Sequence, residues 1–235
     1  MSAAGQNASA SAWRRDLLLT LLALALLACW EWSGLDLSIS RLYGDANGFA
    51  WREAWLTAGL GHQGGRNLAW LIFIGLIVDA VRPWIARPGQ SALPSPARSE
   101  RRFWLLVTLA CLIAIPALKQ VSQTSCPWDL QEFGGSAPYV PHWLLGVKDG
   151  GGGHCFPSGH AIAAFAFFSQ FFLWRQDRPA IARLWLAGVL VFGSLFGWAQ
   201  LARGAHYVSH TMWSAWICWA ICVAAAAWRA RRVQA

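Results

Sequence analysis

Six apolar runs, each close to the ~20 residues that carry a helix across a ~30 Å hydrocarbon layer, constrain this chain more than any other feature. They lie at 16–33, 67–84, 103–119, 157–174, 181–202 and 207–228. Backbone polar groups in lipid must be satisfied within the segment, so such runs are expected to be helices. The predicted fold class is therefore all-α, an integral membrane bundle of six transmembrane helices. Composition agrees: the chain is 56% hydrophobic and 13% charged, against about 25% charged in a soluble domain.

A net charge of +8 would suit nucleic acid if the basic residues shared a soluble face. They do not. Arg14 and Arg15 precede the first run, Arg87, Arg98, Arg101 and Arg102 separate the second from the third, Arg175, Arg178 and Arg183 separate the fourth from the fifth, and Arg229, Arg231 and Arg232 follow the sixth. All fall on one side, which the positive-inside rule makes cytoplasmic. No nucleic-acid partner is expected; the bilayer is the partner. Both termini are expected in the cytoplasm, and "RRDLLLTLLALALLAC" is read as a retained helix, not a cleaved signal. Of 17 tryptophans, many sit near run ends, where amphipathic rings favour the interface.

The chain reads as one domain over 1–235. A Pro/Ser-rich cytoplasmic connector spans about 87–100, and an interfacial helix is expected around 49–60 on the other face. The long stretch 120–156 carries Trp128, Phe133, Tyr139 and Trp143 and is expected to form a packed, non-cytoplasmic cap loop. Cys29, Cys111, Cys218 and Cys222 lie within runs and are read as small packed apolar groups. Cys126 and Cys155 both lie on the outer face, where an oxidising periplasm would let them form a disulfide. Sequence alone leaves that pairing open.

Polar chemistry collects on the same outer face. All six histidines (His62, His142, His154, His160, His206 and His210) fall there or at run ends facing it. Lys119, the tetrapeptide Pro157-Ser158-Gly159-His160 and "QLARGAHYVSH" at 200–210 thus meet at one membrane level. Pro157 can open a helix without losing a hydrogen bond, and the amides after it would face an anion at the helix N-terminus. On spelling alone, a plain helix cap fits the tetrapeptide equally well. His206 and His210, four apart, would share a helix face with Arg203. A nucleophilic histidine needs a neutral ring and a partner on its other nitrogen, while nearby cations stabilise phosphoryl oxygens. A zinc pair is disfavoured, because no Glu stands between the histidines in HExxH style and carboxylates are scarce. No metal and no cofactor is expected.

With these motifs the chain resembles the type 2 phosphatidic acid phosphatase (PAP2) superfamily. That pattern has a Lys with Arg-Pro seven residues on, then Pro-Ser-Gly-His, then an Arg followed six residues later by His and four later by Asp. Here "KQVSQTSCP" offers Lys119 and Pro127 with Cys126 in the Arg place, "PSGH" matches in full, and "GAHYVSH" makes His206 the equivalent histidine. Gln200 occupies the second Arg place and His210 the Asp place. The resemblance implies a PAP2-like six-helix bundle and metal-independent hydrolysis of a lipid phosphate. It implies His206 as nucleophile, His160 as acid and base, and Lys119, Ser158, Gly159 and Arg203 as phosphate-binding groups. His210 would orient His206, or Asp129 or Glu132 would do so instead; His154 and Lys148 are candidates for the rim. The expected substrates are lipid A, undecaprenyl pyrophosphate or a phospholipid phosphate at the periplasmic face of a bacterial inner membrane, with the aromatic cap favouring a bulky head. A lipid phosphotransferase using the same histidine, and an inactive lipid-binding relative, are the alternatives. Oligomeric state is not readable.

Overall fold

The computed structural model describes residues 3–81, 96–144 and 146–234. Most of the expected 87–100 connector lies outside those residues. Helix α1 (Ala3–Trp32) turns through Gly34 into the short α2 (Leu35–Ser40), and a two-residue hairpin follows, β1 (Gly44–Asp45) with β2 (Gly48–Phe49). A ten-residue π-helix (Trp55–Gly64) then runs straight into α3 (Gly65–Val81). Next come α4 (Arg98–Val121), two 3-10 turns (Pro127–Asp129 and Gln131–Phe133), α5 (Ile162–Phe165), α6 (Phe168–Trp174), α7 (Pro179–Ala202) and α8 (Val208–Gln234).

Four of these elements are long and apolar enough to cross a membrane: Trp55–Val81, Arg98–Val121, Pro179–Ala202 and Val208–Arg232. The expected interfacial helix and second span are thus one continuous element, because Trp55–Gly64 keeps coiling in the wider π form instead of breaking. The expected fourth span is shorter than its apolar run. Regular helix begins only at Ile162 and is interrupted between Phe165 and Phe168, leaving Ile162–Trp174 as a shorter apolar stretch. Helix α1 packs along α8.

The bundle core forms where the aromatic faces of α4, α6 and α8 meet. Trp104, Cys111, Ile115, Phe165, Phe168, Phe172, Cys218 and Cys222 are all buried in one cluster. Inside it, the hydroxyls of Thr108 and Ser169 lie 2.6 Å apart, each satisfying the other across α4 and α6, as an apolar interior requires. Large aliphatic side chains such as Leu71, Leu106 and Leu184 instead face outwards, the pattern of a surface solvated by lipid. At one end, charges pin the helices. Buried Asp16 of α1 pairs with Arg175 after α6, Glu100 of α4 with Arg229 of α8, and Arg101 of α4 with Asp79 of α3 at 3.3 Å.

The opposite end carries the long segment between α4 and α5. Phe49 of the hairpin, Leu130, Phe133, Ala137 and Tyr207 form a second buried cluster. Trp128 N–H donates to the Gly204 carbonyl at 2.9 Å, tying the segment to the α7–α8 turn. Asp149 folds it back: its carboxylate accepts from Ser125 N–H and from Ser125 Oγ, both at 2.7 Å.

Candidate active site

At that end, three separated pieces of chain converge: the end of α4, the turn before α5 and the α7–α8 turn. Lys119 occupies the last turn of α4. Ser158 is held by two backbone bonds to α8, its N–H donating to the His210 carbonyl at 3.1 Å while its own carbonyl accepts from Ser214 Oγ at 2.9 Å. These bonds commit the Ser158 amide, so the tetrapeptide is not a free helix N-terminus. Instead it is a turn laid against α8, with Ala163 N–H closing on the His160 carbonyl at 3.1 Å to begin α5. Gly159 brings this backbone close to Lys119: a methyl group built there would lie 3.7 Å from Lys119 Nζ.

His206 sits in the turn that Gly204 makes possible with φ of 71°, a left-handed conformation that favours glycine. Its N–H and that of Ala205 both donate to the Gln200 carbonyl, at 3.3 and 2.8 Å, closing α7. The ring is 2% exposed. Burial pushes it well below the ordinary histidine range, and Lys119, His210 and His160 add to the effect, so the ring is neutral. Its Nδ1 lies 3.6 Å from Cys155 Sγ, and Cys155 is disulfide-bonded to Cys126. His210 Nδ1 makes a 3.0 Å hydrogen bond with the Cys155 carbonyl, and the two histidine rings lie 5.8 Å apart. The disulfide half-cystine thus braces both histidines. Asp129 and Glu132 do not take that part: Asp129 accepts from Cys126 N–H at 3.2 Å, and Glu132 pairs with Arg41.

Among the described residues, the buried polar atoms without a hydrogen-bond partner are Ser158 Oγ, Gln200 Nε2, Arg203 Nη1, Tyr207 Oη, Ser209 Oγ and Thr211 Oγ1, all on the turn before α5 or along the end of α7 and the start of α8. Leaving such a group unpaired costs roughly 1–3 kcal/mol. Arg203 is fixed from the other side, its Nε donating to the Arg52 carbonyl at 2.8 Å. His154 Nδ1 reaches the Lys119 carbonyl at 3.2 Å, and Lys148 is exposed. The residue that motif reasoning passed over is His62, whose ring lies 3.7 Å from that of His160.

A polar buttress stands behind α8. Glu31 Oε1 accepts from Trp213 Nε1 at 2.7 Å and lies 3.3 Å from His142 Nε2, while Asp36 Oδ1 accepts from Ser209 N–H at 3.0 Å. His142 stacks on Phe156 at 3.9 Å, and burial pushes its pKa down to about 4, so it is a neutral ring. On the lipid side, Gly65, Ile72, Ala163, Phe167, Gly188 and Phe196 line an apolar groove of about 450 Å3. Ala163 lies one turn from His160. Among the described residues, the grouping with metal-ligand spacing is Cys126, Cys155 and His206. Two of its three donors are disulfide sulfurs, and a metal needs the thiolate.

His206, His210, Lys119 and Arg203 thus lie at one end of the bundle beside His160. The model of the PAP2 superfamily matches residues 102–234. The chain belongs to that superfamily, and phosphatase-type activity goes with membership in general terms. Neither the search of curated proteins nor that of solved structures found a match.

Proposed function

We propose that this protein is a membrane lipid phosphatase, hydrolysing a phosphate or pyrophosphate monoester of a lipid through a phosphohistidine on His206. The observation that carries the reading is the convergence of Lys119, the Ser158-Gly159-His160 turn and His206 on one end of the bundle, with Ser158 Oγ, Gln200 Nε2 and Arg203 Nη1 among the buried atoms there that lack a partner. With Nδ1 held against the disulfide, Nε2 is the His206 atom left to attack. It forms a P–N bond as the P–O bond to the leaving lipid oxygen breaks, and His160, protonated when the phosphate dianion is bound beside it, passes its proton to that oxygen. His160 then takes a proton from water, the hydroxide adds to phosphorus, the P–N bond breaks and phosphate leaves. Such acid–base help is worth roughly 10²–10⁴-fold. Lys119, Arg203, Ser158 and the Gly159 backbone hold the phosphoryl oxygens as charge shifts, and Gln200 supplies a neutral donor where the family pattern has Arg. His210 orients the turn that carries His206. In this reading the site faces the periplasm of a bacterial inner membrane, and the lipid tail enters from the bilayer.

The test is phosphate release in mixed micelles with EDTA present, offering lipid A, undecaprenyl pyrophosphate, phosphatidylglycerophosphate and phosphatidic acid. Release is expected from at least one lipid and should fall by roughly 10³-fold or more in His206→Ala. Release that survives the substitution would show that another group is the nucleophile.

A further inference from the structure

We propose that His62 is a positioning residue for the general acid His160, a role that rests on the phosphatase reading above. The two rings lie face to face, with centroids 3.7 Å apart and planes 32° from parallel. The contact comes from an unusual element. His62 sits in the π-helix, between Gly61 and Gly65, and both glycines are pressed onto α7. A methyl on Gly61 would come within 2.8 Å of Ala199 Cβ, and one on Gly65 within 2.7 Å of the Phe196 ring. Only a bare backbone can approach so closely, and the wider π coil sets the phase that turns His62 towards the site. Short π segments are frequent at functional sites.

The stack covers one face of His160 and limits rotation of its ring, so its nitrogens keep one direction. The charged and titratable groups facing the pair are Arg66 from α3, Lys119 from α4, Arg203 from the end of α7 and His206 from the following turn. Among the described residues no carboxylate pairs with His160, and the neighbouring imidazole orients its ring instead.

A positioned acid matters only when the leaving group needs a proton. The experiment therefore compares kcat/KM on two esters, dodecyl phosphate in mixed micelles and p-nitrophenyl phosphate. The first expels an alkoxide, the second a phenolate stable near neutral pH. In His62→Ala, kcat/KM for the alkyl ester is expected to fall about tenfold, a part of the general-acid effect, and that for the nitrophenyl ester less than about twofold. His62→Phe, which keeps the stack, should restore the alkyl ester rate; His62→Gln should not. Equal losses on both esters would mean a structural role only. No loss on either, or rescue by Gln and not Phe, would equally overturn the proposal. If His62→Ala does not fold, the Phe and Gln variants carry the comparison. A wild-type protein that releases phosphate from neither ester would instead sink the phosphatase reading itself, and this inference with it.

Discussion

Gly159 shows how much one missing methyl group can decide. A Cβ there would meet Lys119 Cδ and Nζ at 3.7 Å, an ordinary contact, so Gly159→Ala should leave thermal stability nearly unchanged. In the proposed reading, the same methyl narrows the space in which a phosphoryl oxygen meets Lys119. We expect KM to rise roughly tenfold, the loss of about 1.4 kcal/mol of binding; a normal KM would place the phosphate elsewhere. His206 gives a second prediction at this scale. Its burial lowers its proton affinity, so as pH falls through about 6.5, where a free imidazole would protonate, His206 stays neutral and able to attack. The His206 ring resonance should therefore not shift as pH falls through about 6.5, and a resonance that titrates there and is lost in His206→Ala would contradict the burial argument. Fixed spacing singled out Lys119, Ser158, Gly159, His160 and His206, which the fold brings to one end of the bundle; their roles are the proposed ones. It did not single out His62: a stack depends on helix phase, and no spacing rule anticipates a π coil. The nearest signal is the run of glycines around it in "GLGHQGG".

Among elements, the disulfide between Cys126 and Cys155 carries the strongest consequence. It links the segment following Lys119 to the segment preceding Ser158, and Cys155 touches both His206 and His210. Cys126 stands where the family pattern has an arginine, and here its disulfide with Cys155 braces His206 and His210. Reduction, or Cys155→Ser, should lower kcat by roughly 10- to 100-fold through misplacement of the attacking nitrogen, while the helical circular dichroism persists. Unchanged turnover after verified reduction would show that the bond serves stability alone. The sequence made the pairing conceivable by placing both residues on one face, but could not join them, since loops fold by contacts far apart in the chain. The start of α5 was misjudged for a similar reason. Pro157 invites a helix, yet His210 and Ser214 claim the Ser158 backbone first and delay the helix to Ile162.

For the whole molecule, the relation between groove and site sets which substrates can be used. The apolar groove between α3, α5 and α7 begins a turn away from His160, and a methyl on Gly188 would meet nothing within 4 Å. Gly188→Leu should therefore fold normally while filling the groove. If a lipid tail lies there, kcat/KM for a long-chain lipid phosphate should fall roughly tenfold and that for p-nitrophenyl phosphate should not; equal rates on both would direct the tail elsewhere. The helical membrane architecture was legible from apolar runs alone. The merger of two expected elements into Trp55–Val81, and the shortness of Ile162–Trp174, were not, because polarity marks where lipid lies and not where a helix breaks.

The two ends of the bundle are fastened by different chemistry. One is closed by the ion pairs Asp16–Arg175, Glu100–Arg229 and Arg101–Asp79, the other by a disulfide together with carboxylate hydrogen bonds from Asp149 and Asp36 and the exposed Arg41–Glu132 pair. Losing one partner of a buried pair such as Asp16–Arg175 costs about 3–5 kcal/mol, so that end fails as a unit when its charges are disturbed. Tightness at one pole and chemistry at the other can therefore be separated. Substitution of those pairs should loosen the first end where added salt does little, since buried pairs are weakly screened, and the thiol content of the buffer should reach only the second.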